Sequence, residues 1–324
     1  MIITVTPNPA WDVTYEVPAL VPGEVHRVTG VHRRLGGKGV NVARVLHATG
    51  HAAVAVIPGP PGVAAEAGLD GPAAPSGRGP GPRLVLDVVP GLPALRQTLV
   101  VQAAEGPTTS LWEPGTEPDA GTGRALADRV RGWLHPDGRA ADRAQGIVIA
   151  GSLPPGLDTG LPACLATMAL DASVPAVVDT SGEALKRAAA VPGVVLTPNG
   201  AELAQLTGLA CQDPAEAIGA ARAVLADGPL AVVVTLGEDG LAAVTRNGAW
   251  HGRLAEPLSG NPTGAGDAAA AAVVAGLAEA ASWPQIVREA VALSAAAVLS
   301  PVAGEVSPAD VAALRGRTLV KEVA

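Results

Sequence analysis

The chain has 324 residues, 48% of them hydrophobic, a formal net charge of −8 and no lysine- or arginine-rich run. That length builds one large α/β domain with an elaboration, or two domains, around a sizeable core. The acidic balance argues against nucleic acid as the main partner, and a chain with no Phe and one Tyr offers few platforms on which bases could stack.

Cys164 and Cys211 are the only cysteines. They fit neither a disulfide framework nor a metal cluster, and a reducing compartment is the simpler inference. Met1 to Pro7 lacks the basic region and long apolar core of a signal peptide. The most apolar segments, around 264–281 and 286–299, carry glycine, acids or arginine. They read as buried helices rather than membrane spans. A cytoplasmic protein with no membrane partner is expected.

Ile2 to Val5 reads as a short buried strand. Trp11–Val17 and Glu24–Val31 alternate weakly and are too polar for the middle of a parallel sheet, so both are expected in a peripheral sheet. The glycine-rich turn within Arg33–Arg44 opens a helix that runs to about Thr49 and is closed by Gly50. Ala52–Ile57 is the next strand. In 58–82, 14 of 25 residues are Gly or Pro, a composition that predicts an irregular loop. Leu84–Val89, Leu95–Val101 and Thr108–Glu113 return to strand character.

A regular alternation follows. Helices are expected at about 119–134, 159–172, 182–190, 200–208 and 214–227. Strands are expected at Gly146–Ala150, Val174–Val178, Val194–Thr197 and Leu230–Thr235. This pattern implies a mostly parallel sheet with helices on both faces. Ligands in such folds sit at the carboxyl ends of the strands, where polar motifs at Gly151, Asp179, Asn199 and Gly237 fall.

The stretch Gly264-Ala265-Gly266-Asp267 precedes a long apolar run. Glycines permit the turn, and the first helix amides, lacking intrahelical partners, make an anion site together with the helix dipole. An aspartate beside a bound phosphate is unfavourable unless it acts as a base. By itself the stretch fits equally an ordinary helix start in which Asp267 steadies the dipole.

Further motifs stand in order. They are Asn8-Pro9-Ala10-Trp11-Asp12, Gly36-Gly37-Lys38-Gly39-Val40-Asn41, Gly151-Ser152-Leu153-Pro154-Pro155-Gly156, Asp179-Thr180-Ser181-Gly182, Asn199-Gly200-Ala201-Glu202 and Thr235-Leu236-Gly237-Glu238-Asp239-Gly240. In order and spacing over roughly residues 1–280 the set resembles the PfkB branch of the ribokinase superfamily of carbohydrate kinases. Within that branch it is most like the 1-phosphofructokinase and tagatose-6-phosphate kinase group.

The resemblance implies a ribokinase-like three-layer α/β/α domain over the whole chain, with a small β lid from about 11–31 and 94–114. It implies ATP and Mg²⁺, a phosphorylated ketohexose as acceptor (fructose 1-phosphate before others), and a homodimer paired through the lid. Asp267 would be the base, with Gly264, Ala265 and Gly266 forming the anion hole. Asp12, Gly36, Gly37 and Asn41 would hold the sugar, and Lys38 and Arg96 a phosphate already on it. Asn199 and Glu202 would position Mg²⁺ through water, and Thr235, Gly237 and Gly240 would line the nucleotide.

The chain departs from the family pattern in places. Thr197 stands where lysine is usual before Pro-Asn, Ala201 where some relatives are basic, and Thr98 where asparagine is usual. Residues 58–82 replace a glycine turn and helix. Two alternatives follow: another sugar or nucleoside kinase of the superfamily, such as one acting on tagatose 6-phosphate, and a homologue that binds sugar or nucleotide with impaired catalysis.

Overall fold

The computed structural model describes residues 1–69, 83–135, 143–300 and 302–323. Its strands are β1 (Ile2–Val5), β2 (Ala10–Val17), β3 (Gly30–Gly36), β4 (Ala53–Gly59), β5 (Leu84–Pro90), β6 (Arg96–Ala103), β7 (Thr109–Trp112), β8 (Gly146–Ala150), β9 (Ala176–Asp179), β10 (Val195–Leu196), β11 (Ala231–Thr235), β12 (Leu241–Thr245), β13 (Gly248–Leu254) and β14 (Thr318–Val323). Its helices are α1 (Lys38–Ala48), α2 (Val63–Glu66), α3 (Thr122–Leu134), α4 (Leu161–Asp171), α5 (Gly182–Ala189), α6 (Gly200–Thr207), α7 (Pro214–Leu225), α8 (Ala265–Ala278), α9 (Trp283–Val298) and α10 (Pro308–Arg315).

Ten strands form one sheet in the order β14-β13-β12-β11-β10-β9-β8-β1-β4-β5. The run from β11 to β5 is parallel, and β12, β13 and β14 extend it antiparallel. Alternate residues point to opposite faces. Val148 and Ala150 of β8 join a core with α1, α8 and α9, while Ile147 and Ile149 join one with α3, α4, α5 and α7. Because both faces are covered, the parallel strands read as unbroken apolar runs. This is the expected three-layer α/β/α architecture.

A separate four-stranded sheet has the order β3-β2-β6-β7, with β2 and β6 parallel and the outer pairs antiparallel. Its strand β3 differs from expectation. The strand anticipated over Glu24–Val31 forms instead over Gly30–Gly36, and Val25 is 95% exposed. Pairing with β2 decides this. The register sets Trp11 opposite Leu35 and Asp12 opposite Arg34, which buries Trp11 and Leu35 together in the core. The weak alternation of 24–31 has no such partner. In the Gly/Pro-rich stretch, Pro58 and Gly59 end β4 and Val63–Glu66 form the single turn α2, while 70–82 lie outside the described residues. The β12–β13 hairpin and β14 were not anticipated from sequence.

Candidate active site

The loops after β1, β8, β9, β10 and β11 gather at one edge of the sheet. Asn8 follows β1 and donates from Nδ2 to the Pro114 carbonyl (3.0 Å) and to Ser152 Oγ (3.2 Å), tying the first motif to the loop after β8. Thr180 Oγ1 donates to the Gly151 carbonyl at 2.9 Å, joining the loops after β8 and β9. Gly37, at φ 100°, lets α1 begin tight against β1, for a Cβ there would stand 2.8 Å from Thr6 Cγ2.

α8 begins at Gly264, with φ 88°. The Ala265 amide donates to the Pro262 carbonyl at 3.2 Å, and Ala268 to Gly264 at 3.0 Å. The amides of Gly266 and Asp267 have no acceptor among the described residues. The free-donor set therefore comprises two amides, since Ala265 closes the turn. A Cβ on Gly266 would meet nothing within 4 Å, so this turn faces open space. A Cβ on Gly264 would come 2.8 Å from the Gly304 nitrogen, and one on Gly304 2.7 Å from Asn41 Cβ. The segment after α9 is thus wedged between the start of α8 and α1, and only glycines permit that stacking.

Asp267 is 5% exposed and accepts from Asn41 Nδ2 at 3.0 Å. Burial pushes its carboxyl from an ordinary 3.8 up to about 7; the Asp179 and Asp12 carboxylates add to the rise, while the Lys38 charge and the Asn41 bond oppose it. Lys38 donates to Asp179 Oδ1 at 2.8 Å, and its side chain remains 41% exposed. Desolvation works against its charge, but Asp179, Asp267 and Glu202 outweigh it and hold Lys38 protonated above its usual range. Asn41 Oδ1 is buried with no partner among the described residues.

The small sheet supplies a second group. Asp12 lies opposite Arg34 on one side and Thr98 on the other, while Ala10 lies between Gly36 and Arg96. Residues at matched alternate positions share a face, so Asp12, Arg34, Gly36, Arg96 and Thr98 line one side of it. Thr98 Oγ1 donates to Asp12 Oδ1. A Cβ on Gly36 would overlap the Asp12 carboxylate. Burial raises the Asp12 pKa against the Thr98 bond and the charges of Arg34, Arg44 and Arg96. Arg96 donates to the carbonyls of Asn8 (3.4 Å) and Glu113 (2.9 Å).

The third group lies past β10 and β11. Asn199 Oδ1 accepts from the Glu202 amide and Glu202 Oε2 from the Asn199 amide, both at 2.9 Å, forming the capping box of α6. Asn199 bridges to Thr235. The turn Gly237–Gly240 is closed by Leu236 donating to the Gly240 carbonyl at 2.8 Å, and Gly240 rests on the Gly252 carbonyl. Thr197 Oγ1 is buried and unpartnered among the described residues.

Electrostatic reach connects the groups. Asp267 responds to Asp12, and Lys38 to Glu202. Every residue singled out from the sequence lies in one of the three. Asp179, to which the motif assigns no role, joins them; an acid at the end of a parallel strand is its sequence signal. Arg34 and Glu305 were not recognised, and their pairing across the chain has no local signature.

The large, mostly parallel sheet beside a smaller separate sheet is a ribokinase-like α/β fold. The model of the pfkB family carbohydrate kinases matches residues 126–310, more than half the chain. A 1-phosphofructokinase of Xanthomonas campestris pv. campestris is 33% identical over 316 residues, 95% of this chain and 94% of its own. An ATP-dependent 6-phosphofructokinase isozyme 2 of Mycobacterium tuberculosis is 31% identical over 93% of this chain and 84% of its own. The crystal structure of phosphofructokinase-2 from Escherichia coli in complex with potassium is 27% identical, with a TM-score of 0.80 over 97% of this chain and 98% of that one. The chain belongs to the PfkB family of carbohydrate kinases. It is a kinase that transfers phosphate to a hydroxyl group. Among the described residues no helix is long and apolar enough to cross a membrane.

Proposed function

We propose that the chain catalyses ATP-dependent phosphorylation of a phosphorylated ketohexose, foremost fructose 1-phosphate to fructose 1,6-bisphosphate. The carrying observation is Asp267, buried at the start of α8, bonded to Asn41 and raised to about 7. A carboxylate poised near the working pH is suited to take a proton from a hydroxyl as it attacks a phosphoryl group. The free amides of Gly266 and Asp267 would meet the charge that develops on the transferred group. Asp12, Gly36, Gly37 and Asn41 would orient the sugar, and Thr235, Gly237 and Gly240 the nucleotide.

Mg²⁺ fits this site only as a partner of phosphate and water. No group of three or more His, Cys, Asp or Glu side chains among the described residues could hold a metal ion. Glu202 Oε2 accepts in the cap, and the Glu202 carboxylate would meet the metal through a bound water rather than directly. Magnesium, when bound with ATP, neutralises phosphate charge. That matters because Thr197 and Ala201 provide no cation here.

An ADP-release assay with ATP, Mg²⁺ and an acceptor panel tests the reading. Fructose 1-phosphate is expected to show the highest kcat/KM among fructose 1-phosphate, fructose 6-phosphate, tagatose 6-phosphate and fructose. Fructose 1-phosphate and fructose 6-phosphate are compared first, because the two relatives carry the names 1-phosphofructokinase and 6-phosphofructokinase. Failure of every sugar phosphate to turn over would refute the assignment. Ligand-induced thermal stabilisation without product would favour a binding homologue instead. We also infer pairing of two copies through the small sheet, whose Leu111 and Trp112 are 59% and 68% exposed. Light scattering is expected to give a dimer mass, and a monomer at all concentrations would exclude it.

A further inference from the structure

The two cations first assigned to the acceptor's phosphate are already engaged: Lys38 bonds Asp179, and Arg96 bonds two carbonyls. Arg34 is not fully engaged. Its side chain is 17% exposed, and Nη1 donates to Glu305 Oε1 at 2.5 Å. Nε and Nη2 are buried and have no hydrogen-bond partner among the described residues. Those two nitrogens form one edge of the guanidinium fork, the edge that takes two oxygens of a carboxylate or phosphate. Arg315 uses the same edge to hold both Glu289 oxygens, at 2.7 and 2.8 Å. A buried cation edge without an acceptor is costly, so its retention needs an occupant.

Position indicates which occupant. Arg34 is the cross-strand neighbour of Asp12 on the face that carries Gly36, Thr98 and Arg96. Asp12 lies within electrostatic reach of both Asp267 and Arg34. In a hexose monophosphate the accepting hydroxyl and the existing ester sit at opposite ends. A sugar with its free hydroxyl at Asp267 and its middle hydroxyls at Asp12 extends its ester along this face. Arg44, from α1, adds positive charge beside Arg34. Burial and the Arg34 charge depress it to about 10, against the attraction of Asp12 and Glu305.

We propose that Arg34 is a specificity-determining residue that grips the phosphate ester of the acceptor sugar through its Nε–Nη2 edge. The proposal rests on the sugar-phosphate reading above. Glu305, on the segment between α9 and α10, braces the guanidinium from its other side. That edge is closed to solvent, so β3 and the Glu305 segment separate to admit the ester.

The test is calorimetric titration of the whole protein with fructose 1-phosphate, fructose 6-phosphate and ATP, for wild type, Arg34→Met and Arg34→Lys, alongside turnover. Arg34→Met is expected to weaken sugar-phosphate binding at least tenfold and leave ATP affinity within twofold. Arg34→Lys, which keeps the charge but loses the fork, should recover part of the loss. Unchanged sugar-phosphate affinity in Arg34→Met overturns the proposal. So does an ATP affinity that falls in step, which would mark a structural role, and so does a wild type that binds neither sugar phosphate. Should wild type bind sugar phosphates in an Arg34-dependent way but never turn them over, the sugar-phosphate reaction proposed above fails and the role of Arg34 stands.

Discussion

Replacing Asp267 with asparagine should make the protein more stable and nearly inactive. Asp267 is 5% exposed, and its carboxyl is raised from 3.8 to about 7. A raised acid binds its proton more tightly folded than unfolded. Its contribution is fully favourable below the unfolded value and is lost as pH rises through the folded one. Above about 7 the difference corresponds to a destabilisation of about 4 kcal/mol, an upper bound for a buried group among other charges. At pH 5 most of that has yet to develop. Asp267→Asn keeps the shape, and its amide oxygen can still accept from Asn41. Its stability advantage over wild type should therefore be about 2–3 kcal/mol larger at pH 8 than at pH 5. Urea unfolding of both proteins at the two pH values measures this directly. Turnover should fall by roughly 10²–10⁴-fold. An advantage that is absent at pH 8, or equal at the two pH values, refutes the argument that burial holds this carboxyl near neutrality. Equal turnover of the two proteins refutes its role as base.

Three further substitutions separate the parts of the site. Gly264→Ala places a side chain at φ 88° and 2.8 Å from the Gly304 nitrogen; a loss of about 2–4 kcal/mol is expected in thermal unfolding, with turnover falling as the start of α8 shifts. Gly266→Ala meets nothing within 4 Å, so stability should hold or rise by up to about 1 kcal/mol while kcat drops; full activity would mean that no phosphoryl group approaches this turn. Lys38→Met removes a charge that lowers the Asp267 pKa, so the acidic limb of kcat against pH should move upward, and an unmoved limb would show that Lys38 does not tune the base.

Local chemistry made much of this molecule legible in the sequence. Short unbroken apolar runs and helix starts specify β1, β8 and α4 through α7 because each signal lies within a few residues. The motif at 264–267 could be read as a helix opening with free amides for the same reason. The glycine and the unbroken alanine run that follows determine it, and α8 is indeed buried along most of its length.

Tertiary structure alone decided the rest. The small-sheet strand fell at Gly30–Gly36 because Leu35 gains burial opposite Trp11, a choice invisible to the alternation of either segment. Lys38 reaches Asp179 across 141 positions and Asn41 reaches Asp267 across 226. A carboxyl held near neutrality is not a property of aspartate or of its motif. It arises from removing water and from setting Asp179, Asp12 and Lys38 around one carboxyl. Sequence determined which groups are present and which local shapes they take. Folding decided their distances and burial, and charge interactions depend on both.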